Sequence, residues 1–153
     1  MPSPHPHAPS TTAIAAHLLH AVLGSFPLVC FTLALVTDVA YWRTSNLMWS
    51  EFSAWLLLAG IVLGGLAAVI GTARFLIDAD RREEGPAWPQ VIGTVLVLVL
   101  AFFNNLVHAH DGWTAVVPWG LILSALTVLA LFITAWFNAS RIHFDGVGVR
   151  TYA

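Results

Sequence analysis

Apolar residues dominate four stretches of this chain, and polar or charged residues collect between them. The first stretch, 18–42, exceeds the roughly 20 residues that carry a helix across a bilayer core. Three more follow at 53–77, 88–107 and 118–138. Each reads as a helix, because backbone groups in hydrocarbon must find their hydrogen bonds inside the segment. The connections are polar: 43–52 after the first span, the charged DRREEGPA at 80–87, and a turn holding His108, His110, Asp111 and Gly112. Short connections predict antiparallel neighbours, so residues 13–145 read as an all-α integral membrane domain, an up-down-up-down four-helix bundle. Residues 1–12 (MPSPHPHAPSTT) hold no apolar period and read as a disordered Pro/Ser/His tail. Residues 146–153 read as a C-terminal tail. The first span lacks a basic leader and is longer than a signal core of about 7–15 residues, so it is expected to stay in the mature protein.

The polar positions inside the spans are patterned. His20 and Asp38 lie 38 − 20 = 18 residues apart, about five full turns, and so project from one helix face. Gly24, Pro27, Phe31 and Ala34 fall near the same line. In the third span Gln90, Thr94, Ala101, Asn104 and His108 share a line; Ser124, Thr127, Thr134 and Asn138 dot the fourth. An ionisable side chain in hydrocarbon costs roughly 2.5–3.5 kcal/mol on insertion scales, so these faces should turn inward. Matching depth across antiparallel helices groups His20 with Arg74, Gln90 and Asn138 at one boundary. It groups Asp38 with Asn104 or Asn105 at the other, with Ser124 at the same level. The second span carries Gly60, Gly64, Ala67 and Gly71 at intervals of three or four. Such a small-residue face admits a close helix, from this chain or from a second copy.

Composition and charge narrow the class. Charged residues make up 9% of the chain and hydrophobic ones 58%, against roughly 25% charged in a soluble domain. A net charge of −2 with no lysine argues against a nucleic-acid partner. The single Cys30 excludes a disulfide or a thiolate-only metal site within the chain. Arg74, Arg81, Arg82, Arg141 and Arg150 fall on the side of the termini, and Arg43 alone on the other. That asymmetry predicts both termini in the cytoplasm, in a bacterial cytoplasmic (inner) membrane. His108, His110 and Asp111 combine imidazole and carboxylate ligands and are the candidate metal site. A haem b needs two axial histidines on separate helices at one depth. His20 has no such partner, but remains the candidate for a cofactor or quinone pocket. No Ser-His-Asp or paired-carboxylate constellation is spaced for catalysis, so no catalytic residue is assigned.

Three stretches resemble a known family. HAVLGSFP at 20–27, with Asp38 about a turn before the helix ends, is similar to a first-helix signature of His-Pro-x-x-x-(His or Ser)-Phe-Pro. NLVHAHDGWTAVVPWGLILS at 105–124 and FDGVGV at 144–149 resemble the third connection and the closing His-Gly-Val-Gly-Val tail. Together they resemble the bacterial membrane family catalogued as domain of unknown function 2231, over roughly residues 16–150. The resemblance implies a four-helix membrane domain. It also implies a redox setting, since members occur beside Rieske and cytochrome c modules. Ala21, Ser25, Gln90 and Asp145 stand where proline or histidine is usual, although His143 lies close to the last; the case for a histidine-ligated cofactor is weaker here for that reason. The first reading is a non-catalytic membrane subunit or anchor of a respiratory or redox complex. The alternatives are a carrier of haem b or quinone, or a small proton-coupled transporter or sensor using the His20–Asp38 line. The expected partners are the lipid bilayer, membrane redox proteins and a second copy through the Gly60/Gly64/Ala67/Gly71 face.

Overall fold

The computed structural model describes residues 11–77, 88–109 and 116–148, with side chains described over 22–77, 88–109 and 116–137. Four long helices make up the described chain: α1 (Thr11–Thr44), α2 (Leu47–Ile77), α3 (Trp88–Ala109) and α4 (Leu121–Gly148). Each contains a segment long and apolar enough to cross a membrane: Val22–Thr44, Leu47–Ile77, Trp88–Ala109 and Val116–Phe137. Residues 1–10, the charged 80–87 connection, His110, Asp111 and residues 149–153 lie outside the described residues. The expectations placed on them are neither met nor opposed.

Three boundaries differ from the sequence reading. The polar stretch 43–52 is helical on both sides of a turn made by Ser45 and Asn46. The turn is this short because both helix ends are capped within it. Ser45 takes a left-handed φ of 52° and donates its N–H to the Tyr41 carbonyl at 2.7 Å. Asn46 then accepts the Met48 N–H on Oδ1 at 3.0 Å, the bond expected of an N-cap side chain. The second difference is that α3 runs to Ala109 and carries His108 inside the helix. The third concerns the fourth span, which starts with a kinked segment, Val116–Gly120. There Val117 is extended (φ −119°, ψ 123°), the conformation that a following proline imposes, and the Val117–Pro118 bond is cis. The regular helix then continues to Gly148, beyond the expected end at 138 and into the expected 146–153 tail.

The helices pack in ring order: α1 on α2, α2 on α3, α3 on α4 and α4 back on α1. Helices α1 and α3 therefore face each other across the bundle diagonal. Phe31, Ala34, Leu57, Val97 and Ala101 form the buried centre, with Val128 and Leu131 of α4 packed against it. Small residues set the spacing of α1 and α2. A Cβ on Gly60 would sit 2.4 Å from the Phe31 ring, and one on Gly64 would sit 3.2 Å from Pro27 and 3.1 Å from Leu98. Pro27 lies inside α1, which continues through it; its ring packs where Gly64 leaves room. Val36, Val62, Val69, Val95, Phe102 and Phe132 point outward. An outer surface this apolar matches lipid hydrocarbon, and backbone satisfied within helices is the condition for living there.

Candidate functional site

Near the α1–α2 turn, polar side chains converge instead of apolar ones. Asp38 on α1, Asn104 on α3 and Ser53 on α2 are fully buried, and Ser124 on α4 is 1% exposed. The helical spacing that buries Phe31 and Ala34 carries Asp38 round to the same inner face. On α3 the same logic aligns Val97, Ala101, Asn104 and His108.

Asp38 uses both carboxyl oxygens. Oδ1 lies 2.9 Å from Nε2 of His108, so the contact spans the bundle diagonal. Oδ2 accepts a hydrogen bond from the Ser124 hydroxyl. Ser124 Oγ in turn accepts from Nδ2 of Asn104 at 2.6 Å. The other imidazole nitrogen, Nδ1 of His108, lies 2.9 Å from the Asn104 backbone carbonyl. A carbonyl only accepts, so Nδ1 must carry a proton. One further proton then serves the Asp38–His108 contact, on Nε2 or on Oδ1. With either placement the pair is neutral as a whole, which is why an aspartate can be buried here without the cost of a lone charge. The ring fits because residue 120 is glycine: a Cβ there would lie 3.0 Å from His108 Cε1.

A second tie sits beside the first. The hydroxyls of Thr37 and Ser53 lie 2.7 Å apart, joining α1 to α2. Backbone carbonyls of Leu33 and Ala34 accept from this pair. The dipeptide Thr37–Asp38 thus bonds to all three other helices. One atom is left over: Asn104 Oδ1 is buried with no hydrogen-bond partner.

The sequence reading paired Asp38 with Asn104 or Asn105. Its direct partners are His108 and Ser124, with Asn104 one hydrogen bond further on and Asn105 half-buried. Ending the third span at 107 moved His108 into a turn and hid the pairing; its i+4 spacing from Asn104 was the signal that pointed to it. Of the metal candidates, His108 has both ring nitrogens engaged within the bundle, while His110 and Asp111 lie outside the described residues. Among the described residues no three histidine, cysteine or acidic side chains group as metal ligands. At the opposite end, Arg74 is half-buried and Gln90 holds a buried Oε1 with no partner. The side chains of His20 and Asn138 are outside the described set.

A hollow of about 580 Å³ opens sideways between α3 and α4, lined by Trp88, Ile92, Leu96, Leu126, Leu129 and Phe137 among others. Within that lining α3 and α4 approach closely at Gly93, where a Cβ would collide with Thr134. The lining is apolar almost throughout.

Neither the curated proteins nor the solved structures provide a relative that matches the chain. The family described as a predicted membrane protein, domain of unknown function 2231 (DUF2231), matches residues 16–151, nearly the whole chain and all four helices, and the chain belongs to that family.

Proposed function

We propose that the chain is a non-catalytic integral membrane subunit or anchor, serving a respiratory or redox complex of the bacterial cytoplasmic membrane with both termini on the cytoplasmic side. The observation that supports this reading is where the polar side chains go. Asp38, His108, Ser124, Asn104, Thr37 and Ser53 bond one another from different helices, and none of them lines the apolar hollow between α3 and α4. That hollow is lined almost wholly by apolar side chains. A fixed scaffold that presents its outer faces to a partner fits this arrangement better than a carrier of haem b or quinone. The only histidine whose side chain is described, His108, has no ring nitrogen open to an iron. The redox setting rests on the family resemblance, and the orientation rests on the arginine asymmetry. Gly60 and Gly64 face Phe31 and Pro27 of the chain itself, so a second copy would use the rest of that face, half-buried Ala67 and Gly71.

The test is purification of the full chain from native membranes. Co-migration with a cytochrome or iron–sulfur protein on a native gel, with no Soret band in the isolated chain, is the expected result. A Soret band in the isolated chain would overturn the reading in favour of a haem carrier. A reporter fused after Ala153 should read out as cytoplasmic; a periplasmic signal would reverse the orientation.

A further inference from the structure

We propose that the Asp38–His108 pair is a proton-binding site, which takes up one proton at the end of the bundle that carries the α1–α2 turn. The argument starts from the hydrogen count. Nδ1 of His108 is committed to a backbone carbonyl, and the Ser124 hydroxyl donates to Oδ2 while its oxygen accepts from Asn104. One proton is left for Nε2 and Oδ1, and the pair is neutral. A second proton puts a hydrogen on both atoms of that contact. A protonated Oδ1 is a poorer acceptor for Nε2–H, so the 2.9 Å bond across the bundle weakens and one of its donors is free to turn away.

The cluster contains what the displaced donor needs. Asn104 Oδ1 is buried and unpartnered, on the residue whose amide already bonds Ser124 and whose carbonyl already bonds His108. A buried acceptor left unmade costs about 1–3 kcal/mol, so this oxygen is available to a donor displaced within the cluster. The step is a proton transfer only: a proton from water at this end adds to Oδ1 or Nε2, and the pair passes from neutral to singly positive. His108 is the residue before the last of α3, at the C-terminal end of that helix. Among the described residues, the other titratable groups at this end are Tyr41 and Arg43 on α1, and Glu51 on α2, with none on the fourth span within 116–137; His110 and Asp111, which follow α3 in sequence, lie outside the described residues. The proton joins a pair that already holds one, and a histidine and an aspartate that share a contact take up their protons in two coupled steps from ordinary values of about 6.5 and 3.9, so the window to search runs from about pH 3 to 8.

The experiment uses the full chain in lipid bilayers, with carboxyl-labelled aspartate and ring-labelled histidine followed by magnetic resonance across that window. One of the five aspartate carboxyl signals, missing in Asp38→Glu, should move together with the ring nitrogens of one of the seven histidines, missing in His108→Gln. Both assignments use variants that keep a polar side chain, and Asp38→Asn gives a second assignment should the glutamate not insert. Asn104→Leu removes the waiting acceptor and should shift the common midpoint to lower pH. Signals of Asp38 and His108 that stay fixed across the window, or that move independently, would overturn the proposal and leave the pair a static tie.

Discussion

The two ends of the bundle are built on opposite terms. At the end with the α1–α2 turn, six polar side chains from four helices bond one another, and Asp38, Ser53 and Asn104 are wholly inaccessible. At the other end, Gly24 on the same face of α1 is exposed, with nothing within 4 Å of where a Cβ would be. Gln90 there has a buried oxygen without a partner, and α3 and α4 part around an apolar hollow. The contrast follows from the solvent. Lipid tails are as apolar as leucine, so burying leucine between helices gains little, and close packing and polar contacts decide where helices lock. A single interhelical hydrogen bond averages only about 0.6 kcal/mol in membrane proteins. The Asp38 cluster is worth more than that because its members satisfy one another, and removing one leaves several buried groups unpaired.

The largest effect should therefore come from Asp38→Leu. It leaves His108 and Ser124 without the carboxyl group they both bond, at a cost of about 3 kcal/mol. Leu33→Ala, on the outward side of the same helix at 45% exposure, should cost less than about 1 kcal/mol. Reversible unfolding in mild detergent compares the two; equal losses would mean that the cluster does not hold the bundle.

Next in size is a steric contrast along the helices. Gly60→Ala drives a methyl to 2.4 Å from the Phe31 ring and should cost about 2 kcal/mol through displaced packing. Gly24→Ala meets nothing and should be neutral or stabilising by up to about 1 kcal/mol, since alanine is the better helix former. If Gly24→Ala destabilises as much as Gly60→Ala, the open end is closed by something these contacts omit. Smaller again is Ser124→Ala, at about 1 kcal/mol: it strands the Asn104 amide and one carboxyl oxygen but keeps the Asp38–His108 bond. A loss as large as that of Asp38→Leu would make Ser124, not the histidine, the main tie.

Much of this fold was legible because the four apolar runs have no other stable home than a membrane, and only helices satisfy their backbone there. The inner line of α1 through Phe31, Ala34 and Asp38 could be read from helical period alone. What could not be read was set by helix ends. Placing the third boundary at 107 cost His108 its helix, and with it the direct partner of Asp38. Starting the second span at Ser53 likewise concealed that Ser53 lies inside α2, opposite Thr37. Hydropathy marks where the membrane ends, whereas caps such as Asn46 mark where the helix ends, and the polar cluster sits in the interval between the two.

The smallest prediction concerns that interval directly. Ser45 holds a φ of 52°, where a side chain with a Cβ is strained by roughly 1–2 kcal/mol and glycine is not. Ser45→Gly removes the strain, but glycine also gains freedom in the unfolded chain, which offsets about 0.5–1 kcal/mol of the benefit. The net expectation is a gain of about 0.5 kcal/mol. The serine side chain is exposed, and the bond that shapes the turn is its backbone N–H to the Tyr41 carbonyl, which glycine keeps. Asn46→Ala supplies the opposite sign in the same turn, losing about 1 kcal/mol with the cap of α2. Both changes act only on the end that holds Asp38, so neither should alter the packing at Gly24. A loss on Ser45→Gly, measured by the same detergent unfolding, would show that the serine hydroxyl, not the left-handed backbone, is what the turn requires.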